Sequence, residues 1–153
     1  MTLSSKYDDS YPTCAETYAT LCIYHEDLEP DRINRLLGLK YTWACKKGDP
    51  ISLKEPDRAK RKVGAWLLRT EGILDSKDSR RHIDWLIDQI DEKAEILSEM
   101  IEQGYSIRIS CYWVSKHGHG GPWVSVSECE RLARLRIELD FDVYFSCEED
   151  EES

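Results

Sequence analysis

The alternation of apolar and polar positions along the chain predicts elements in the order β-α-β-β-α-β-α-β. From Thr17 to Tyr24, Ala19, Leu21 and Ile23 point to one side and Tyr18, Thr20, Cys22 and Tyr24 to the other, the period-two pattern of a strand covered on one face. Glu29-Pro30-Asp31 opens a short helix with Pro30 in its first turn, where the missing N–H costs nothing. Ile33, Leu36 and Leu37 form its apolar face and Gly38 stops it. Tyr41 to Cys45 and Val63 to Thr70 read as the second and third strands. Between them lie the turn Lys47-Gly48-Asp49-Pro50 and a charged loop to about Arg61. The clearest periodicity is Ile83, Leu86, Ile87, Ile90, Ala94, Leu97 and Ile101. It predicts one helix from Arg80 to Gln103, roughly 36 Å long, ended by Gly104. Tyr105 to Ser115 is a fourth strand, with Ile107, Ile109, Cys111 and Trp113 on one side and Arg108, Ser110 and Tyr112 on the other. After a glycine-rich loop at 116–122, Ser125 or Ser127 caps a helix to about Leu135. Glu138 to Ser146 is the fifth strand, with Leu139, Phe141, Val143 and Phe145 alternating against Asp140, Asp142 and Tyr144.

The strand–helix–strand unit at 19–45 has an echo at 107–145. Duplications of that kind build α+β sheets with their helices on one side. The expected fold is therefore ferredoxin-like α+β: a mostly antiparallel five-stranded sheet, helices packed on one face, and an internal βαβ duplication. A chain of 153 residues fits one domain. The expected boundaries are a flexible N-terminal segment at 1–16, the domain at 17–147 and an acidic disordered tail at 148–153. In such a fold one sheet face is left for solvent or a partner, and its tyrosines, hydroxyls and acids suit a protein-binding surface. Strand propensity alone also explains Tyr and Thr there.

Composition narrows the picture. Hydrophobic residues make up 41% of the chain, enough for a core, and no apolar run approaches the roughly 18–20 residues a membrane span needs. The net charge is −9, which disfavours nucleic acid, whose phosphates need cationic surface. Charge is also uneven. The segment 40–69 carries nine bases against three acids, whereas 82–104 carries seven acids (Asp84, Asp88, Asp91, Glu92, Glu95, Glu99, Glu102) and the single base Lys93. An acidic helix face of this kind attracts a basic partner, unless the two runs simply compensate each other. The N-terminus carries no signal- or transit-peptide pattern, so a cytosolic location is expected. The six cysteines include no C-x-x-C pair and read as reduced, mostly buried thiols.

Several motifs carry a family resemblance: Lys46-Lys47-Gly48-Asp49-Pro50, Gly64-x-Trp66, Ile83-Asp84-Trp85-Leu86, and Ile109-Ser-Cys-Tyr-Trp-Val-Ser115 followed by Gly118-His119-Gly120-Gly121-Pro122. Over residues 17–147 the chain resembles the uncharacterised, mostly bacterial family known as domain of unknown function 4279. The resemblance implies a small single-domain cytosolic protein and transfers no catalytic residue.

The candidate chemistry is sparse. His117 and His119 sit in a glycine-rich loop, but zinc needs three or four ligands and no third is signposted, so no metal and no cofactor are expected. The His-Gly-Gly piece resembles an oxyanion-hole loop, yet the chain has no Gly-x-Ser-x-Gly. Gly120 and Gly121 could present backbone N–H groups to an anion, or serve only to make the turn. Asp140 and Asp142 lie on one side of a strand about 7 Å apart, with no sign of the desolvated cleft that acid–base work requires. Trp66 and Trp85 read as packing, and Trp123 as an exposed recognition residue.

No catalytic set emerges. The expected function is a non-catalytic protein-binding domain, specifically an immunity- or antitoxin-like inhibitor of a basic effector protein. It would act as a monomer or homodimer, without nucleic acid or membrane. The expected contact residues are Tyr112, Trp113, His117, His119, Gly120, Gly121, Trp123, Asp140, Asp142 and Tyr144. The alternative is a small-molecule or anion-binding domain, or an enzyme, that uses the loop from His117 to Trp123.

Overall fold

The alternating segment near the N-terminus forms β1 (Cys14–His25) in the computed structural model, which describes residues 6–146. Ala19, Leu21 and Ile23 are wholly buried on one side of β1, so it takes the centre of the sheet. The other strands are β2 (Trp43–Cys45), β3 (Gly64–Arg69), β4 (Ser106–Ser115) and β5 (Glu138–Phe145), and the spatial order is β2-β3-β1-β4-β5. Every neighbouring pair is antiparallel except β4 and β5, which run parallel. The fold is thus α+β with a mostly antiparallel five-stranded sheet, as the alternation implied.

The two sequence echoes are built differently. Helix α1 (Pro30–Leu37) joins β1 to β2, and β3 lies between those strands. Helix α4 (Val126–Leu135) joins β4 to β5, which are immediate neighbours. Likeness in sequence therefore marks two strand–helix–strand units with parallel strands, the first split by an inserted strand and the second not.

The helices cover one face. Ile33 and Leu37 of α1, Ile83, Leu86, Ile87 and Ile90 further on, and Leu132 and Leu135 of α4 form one cluster with Leu21, Ile23, Trp66, Ile109 and Cys111 of the sheet. Burying one such aliphatic side chain contributes about 1.5–3 kcal/mol. Trp66 also donates its indole N–H to Asn34 Oδ1 at 2.8 Å, so the cluster closes without leaving that group unpaired.

The segment expected as one helix is two. Helix α2 (Ser79–Ile90) gives way to a 3₁₀ turn at Asp91–Lys93, after which α3 (Ala94–Glu102) continues. The apolar stripe is blind to this break, because a 3₁₀ turn advances by three residues and the stripe already uses steps of three and four. Ile87, Ile90 and Leu97 are all fully buried across it. Asp78 caps α2, accepting the Arg80 backbone N–H at 3.0 Å, and α4 begins on Ser125, whose amide and hydroxyl both donate to Glu128.

Two expectations need correction. The N-terminal segment does not hang free from Lys6 onward: the Tyr7 hydroxyl donates to Asp84 at 2.5 Å, the Asp8 amide to Asp78 at 2.8 Å, and Asp9 accepts from Ser76 at 2.6 Å. β1 also starts at Cys14, inside the segment expected to be flexible. The rest of that segment, Met1 to Ser5, lies outside the described residues, as do Cys147 and the acidic tail. Nor is the acidic helix a continuous free face. Asp84 is buried and meets Lys6 and Arg131, Asp88 and Asp91 meet Arg131 and Arg134 of α4, and Glu102 meets Arg136. Glu92, Glu95 and Glu99 remain exposed. No helix among the described residues is long and apolar enough to cross a membrane.

Candidate functional site

The sheet face opposite the helices is left uncovered by them. Strand alternation brings Tyr18, Thr20, Cys22 and Tyr24 of β1 beside Arg108, Ser110 and Tyr112 of β4, which in turn lie beside Asp140 and Asp142 of β5. Tyr18 is directly opposite Tyr112, and Tyr112 opposite Asp142. The rings of Tyr18 and Tyr112 stack with centroids 4.7 Å apart, and Tyr144 extends the row at 5.3 Å from Tyr112. Asp140 accepts from Ser110 at 2.6 Å and pairs with Arg108 at 3.3 Å. Tyr144 donates to Asp142 at 3.1 Å. The two aspartates are thus each tied to a neighbour, an arrangement that suits polar recognition.

Toward β2 the same face deepens into a cleft of about 810 Å³. The segment between β2 and β3 builds its outer wall. The turn that starts it is closed by the Lys46 amide on Asp49 Oδ2 at 2.8 Å and by the Gly48 and Arg61 amides, each donating across the segment at 2.8 Å. A bridge between Pro50 and Lys60 holds the two limbs together. The Lys-Lys-Gly-Asp-Pro motif therefore closes a hairpin-like arm that carries Lys60, Arg61 and Lys62 over the sheet. The floor is Ala65 and Leu67 of β3, the side walls include Trp43 and Tyr24, and Arg69 stands at the end. Gly64, at the base of β3, is required by packing. A Cβ there would lie 2.7 Å from Leu28 Cβ and 3.1 Å from the Leu28 carbonyl oxygen.

Arg61 lies over the Trp43 ring at 5.1 Å, a cation–π contact that fixes both groups. The Arg69 Nε is buried and has no hydrogen-bond partner among the described residues. Tyr24 and Arg69 also line a smaller groove of about 180 Å³ that runs over Thr20 and Ser110 to Asp142. Cleft and tyrosine row are therefore one connected surface. Burial raises the Tyr18 and Tyr24 phenols above their ordinary value, so both remain neutral donors.

The glycine-rich loop is fastened to the N-terminal segment and to the end of β4. The Lys116 amide donates to the Thr13 carbonyl at 2.8 Å and the Ser115 hydroxyl to the His119 carbonyl at 2.9 Å. Gly120 has φ +85°, and a Cβ on it would meet Thr13 Oγ1 at 2.3 Å, so both its conformation and its contact with the N-terminal segment demand glycine. Gly121 is half-buried, and His117 and His119 are exposed with ring centroids 6.1 Å apart. Among the described residues no three His, Cys, Asp or Glu side chains are grouped to hold a metal ion. Trp123 is partly exposed but stacks on Arg80 at 3.9 Å, and Ser79 donates to its carbonyl at 3.0 Å.

The expected contact residues thus separate. Tyr112, Tyr144, Asp140 and Asp142 share the open face, whereas His117, His119, Gly120, Gly121 and Trp123 form a second surface at the end of β4. Trp113 belongs to neither. It is wholly buried on the helix side, with its indole N–H unpaired among the described residues, and cannot touch a partner of the folded protein. The cleft escaped sequence reasoning, although its signal was present: a run of bases beside a half-apolar strand. Cys14, Cys22, Cys45 and Cys111 are buried and free, and Cys129 is exposed. Burial pushes the Cys14 thiol up to about 11 and the Cys111 thiol to about 12, so neither is a thiolate nucleophile at neutral pH.

No curated protein and no solved structure matches this chain. The motifs now have physical roles: Asp84 anchors the N-terminal segment and α4, Gly64 admits Leu28, and Gly120 admits Thr13. The family model described as a domain of unknown function, DUF4279, matches residues 15–146, which is nearly all of the folded part, and the chain belongs to that family.

Proposed function

We propose that this protein is a non-catalytic binding domain whose working surface is the open face of the sheet. The observation that carries this reading is the uncovered row Tyr18–Tyr112–Tyr144, spaced at 4.7 and 5.3 Å and flanked by Arg108, Asp140 and Asp142. Aromatic rings presented with hydrogen-bonding groups beside them are what protein interfaces select. β5 borders it as an edge strand with unpaired backbone groups; its exposed Phe141, Val143 and Phe145 alternate onto the other side of the sheet, where a partner reaches them only by wrapping that edge. The strand order supports a ferredoxin-like plan for β1 to β4, with α4 and β5 appended, and the appended strand supplies this edge.

The more specific form is an immunity- or antitoxin-like inhibitor of a basic effector, in the cytosol and as a monomer or homodimer. It is supported by the net charge of −9 and by exposed Glu92, Glu95 and Glu99. Against it, four of the seven acids in that stretch already pair with cations, so the open face is the better contact surface.

Purification of the tagged chain from its native cell, with mass spectrometry of what accompanies it, tests the reading. Tyr112→Ala and Tyr144→Ala are expected to reduce the retained partner at least tenfold, while Glu95→Lys with Glu99→Lys leaves it unchanged. Retention that survives both tyrosine changes and fails on charge reversal in α3 would move the site to the acidic helix and overturn the proposal.

A further inference from the structure

We infer that the cleft between the 46–63 arm and strands β2 and β3 is a binding site for a small amphipathic organic anion: an aromatic or apolar body carrying one carboxylate, sulfonate or phosphate. The volume of about 810 Å³ lies in the range that holds such molecules. Its floor is apolar, with Ala65 and Leu67 beneath and the Trp43 ring at the side. Its rim carries Lys60, Arg61, Lys62 and Arg69 and no carboxylate. In a chain of net charge −9, four cations converging without an acid make a local reversal of sign.

Those cations are also unspent. Lys62 and Arg69 take part in no ion pair among the described residues, and Lys60 reaches only the Pro56 carbonyl, at 2.7 Å. Elsewhere cations over apolar surface are matched to acids, as Arg131 is to Asp84 and Asp88. Among the described residues the Arg69 Nε is a buried donor with no acceptor, a state that favours a ligand able to accept from it. An anion at the Arg69 end satisfies that donor and neutralises the rim, while its apolar body covers Leu67 and the face of Trp43. Arg61, already stacked on Trp43 at 5.1 Å, holds the ring upright and adds charge above it. A bare inorganic anion would leave the floor wet, and a neutral apolar molecule would leave the cations unpaired. The lining asks for both features in one molecule.

Titration with 8-anilinonaphthalene-1-sulfonate tests this, with N-phenyl-1-naphthylamine as the same ring system without the anion and inorganic phosphate as an anion without the rings. The sulfonate is expected to bind at one saturable site, at least tenfold more tightly than either comparison probe, and to shift the Trp43 indole resonance. Lys62→Gln, on an exposed side chain that leaves folding intact, and Arg69→Gln should each weaken it at least fivefold, and Trp43→Ala at least tenfold. Tyr144→Ala should leave it unchanged, which separates this site from the protein-binding row. Equal binding of the neutral amine, binding unaltered in both Lys62→Gln and Arg69→Gln, or a Trp43 resonance that does not move at saturation would each overturn the inference.

Discussion

The N-terminal end of α2 and the cleft over β3 both set charged side chains against apolar surface, and they do so in opposite ways. Around α2 the charges are paired. Buried Asp84 accepts from Tyr7 and Lys6 and pairs with Arg131, while buried Asp78 takes the Arg80 guanidinium, the Arg80 amide and the Asp8 amide. Burial pushes the Asp78 carboxyl up, but the hydrogen bonds from Arg80 and Asp8 outweigh it and hold the group below the usual carboxylate range. His82 sits in the same region with Thr70 Oγ1 at 2.6 Å and the Ser76 carbonyl at 2.8 Å. At the cleft, Lys62 and Arg69 meet no acid among the described residues, and one guanidinium N–H is buried without an acceptor. Removing a partner from a closed network exposes the whole desolvation cost. An open set of cations costs little to neutralise and has something left to offer a ligand.

The largest expected effect breaks the closed side. Asp84→Ala should lower stability by about 3 kcal/mol in urea unfolding, because it removes at once the buried carboxylate that Tyr7, Lys6 and Arg131 all meet. A loss under about 1 kcal/mol would mean that the network is ornamental. Next comes the backbone beneath the cleft. Gly64→Ala forces a Cβ to within 2.7 Å of Leu28 Cβ and should cost about 2 kcal/mol, read by the same unfolding curves.

A smaller effect follows from His82. Burial lowers its pKa below the ordinary 6.5, so the unfolded chain takes up the proton first. Its contribution is complete above about pH 6.5 and declines as the pH falls toward the folded value. Unfolding midpoints should therefore drop between pH 7 and 5 in the parent protein and drop less in His82→Gln. Equal slopes in the two would remove His82 from the pH response. The smallest change is expected at the cleft, where Lys62→Gln and Arg69→Gln should alter stability by less than about 0.5 kcal/mol. Arg69→Gln, which removes the orphan donor, should be neutral or slightly stabilising. Destabilisation beyond about 1 kcal/mol in both would make these cations structural and erase the contrast.

Much of the fold was legible in the pattern. Period-two alternation marked β1, β4 and β5 and told their two faces apart, because a strand buried on one side cannot conceal which residues point inward. The tyrosine row could be read for that reason before any coordinates. Trp113 shows the limit of taking a motif as a site: its parity already assigned it to the covered face, and it is there that it is buried. The cleft was not legible, since it needs β2, β3, the tip of β1 and an arm of the chain brought together from separate parts of the sequence.

By itself the sequence determined the identity and faces of the strands, the apolar stripe of the helical segment, the stop at Gly38, and the overall acidity. All of these are set by neighbours within a few residues, where local geometry repeats. Tertiary structure alone decided which charges are cancelled. Asp84, Asp88 and Asp91 meet arginines more than forty positions away, while Lys60, Arg61, Lys62 and Arg69 converge on the cleft without an acid in its lining. Charge compensation depends on separation in space, and chain order does not encode that distance until the sheet has brought the segments together.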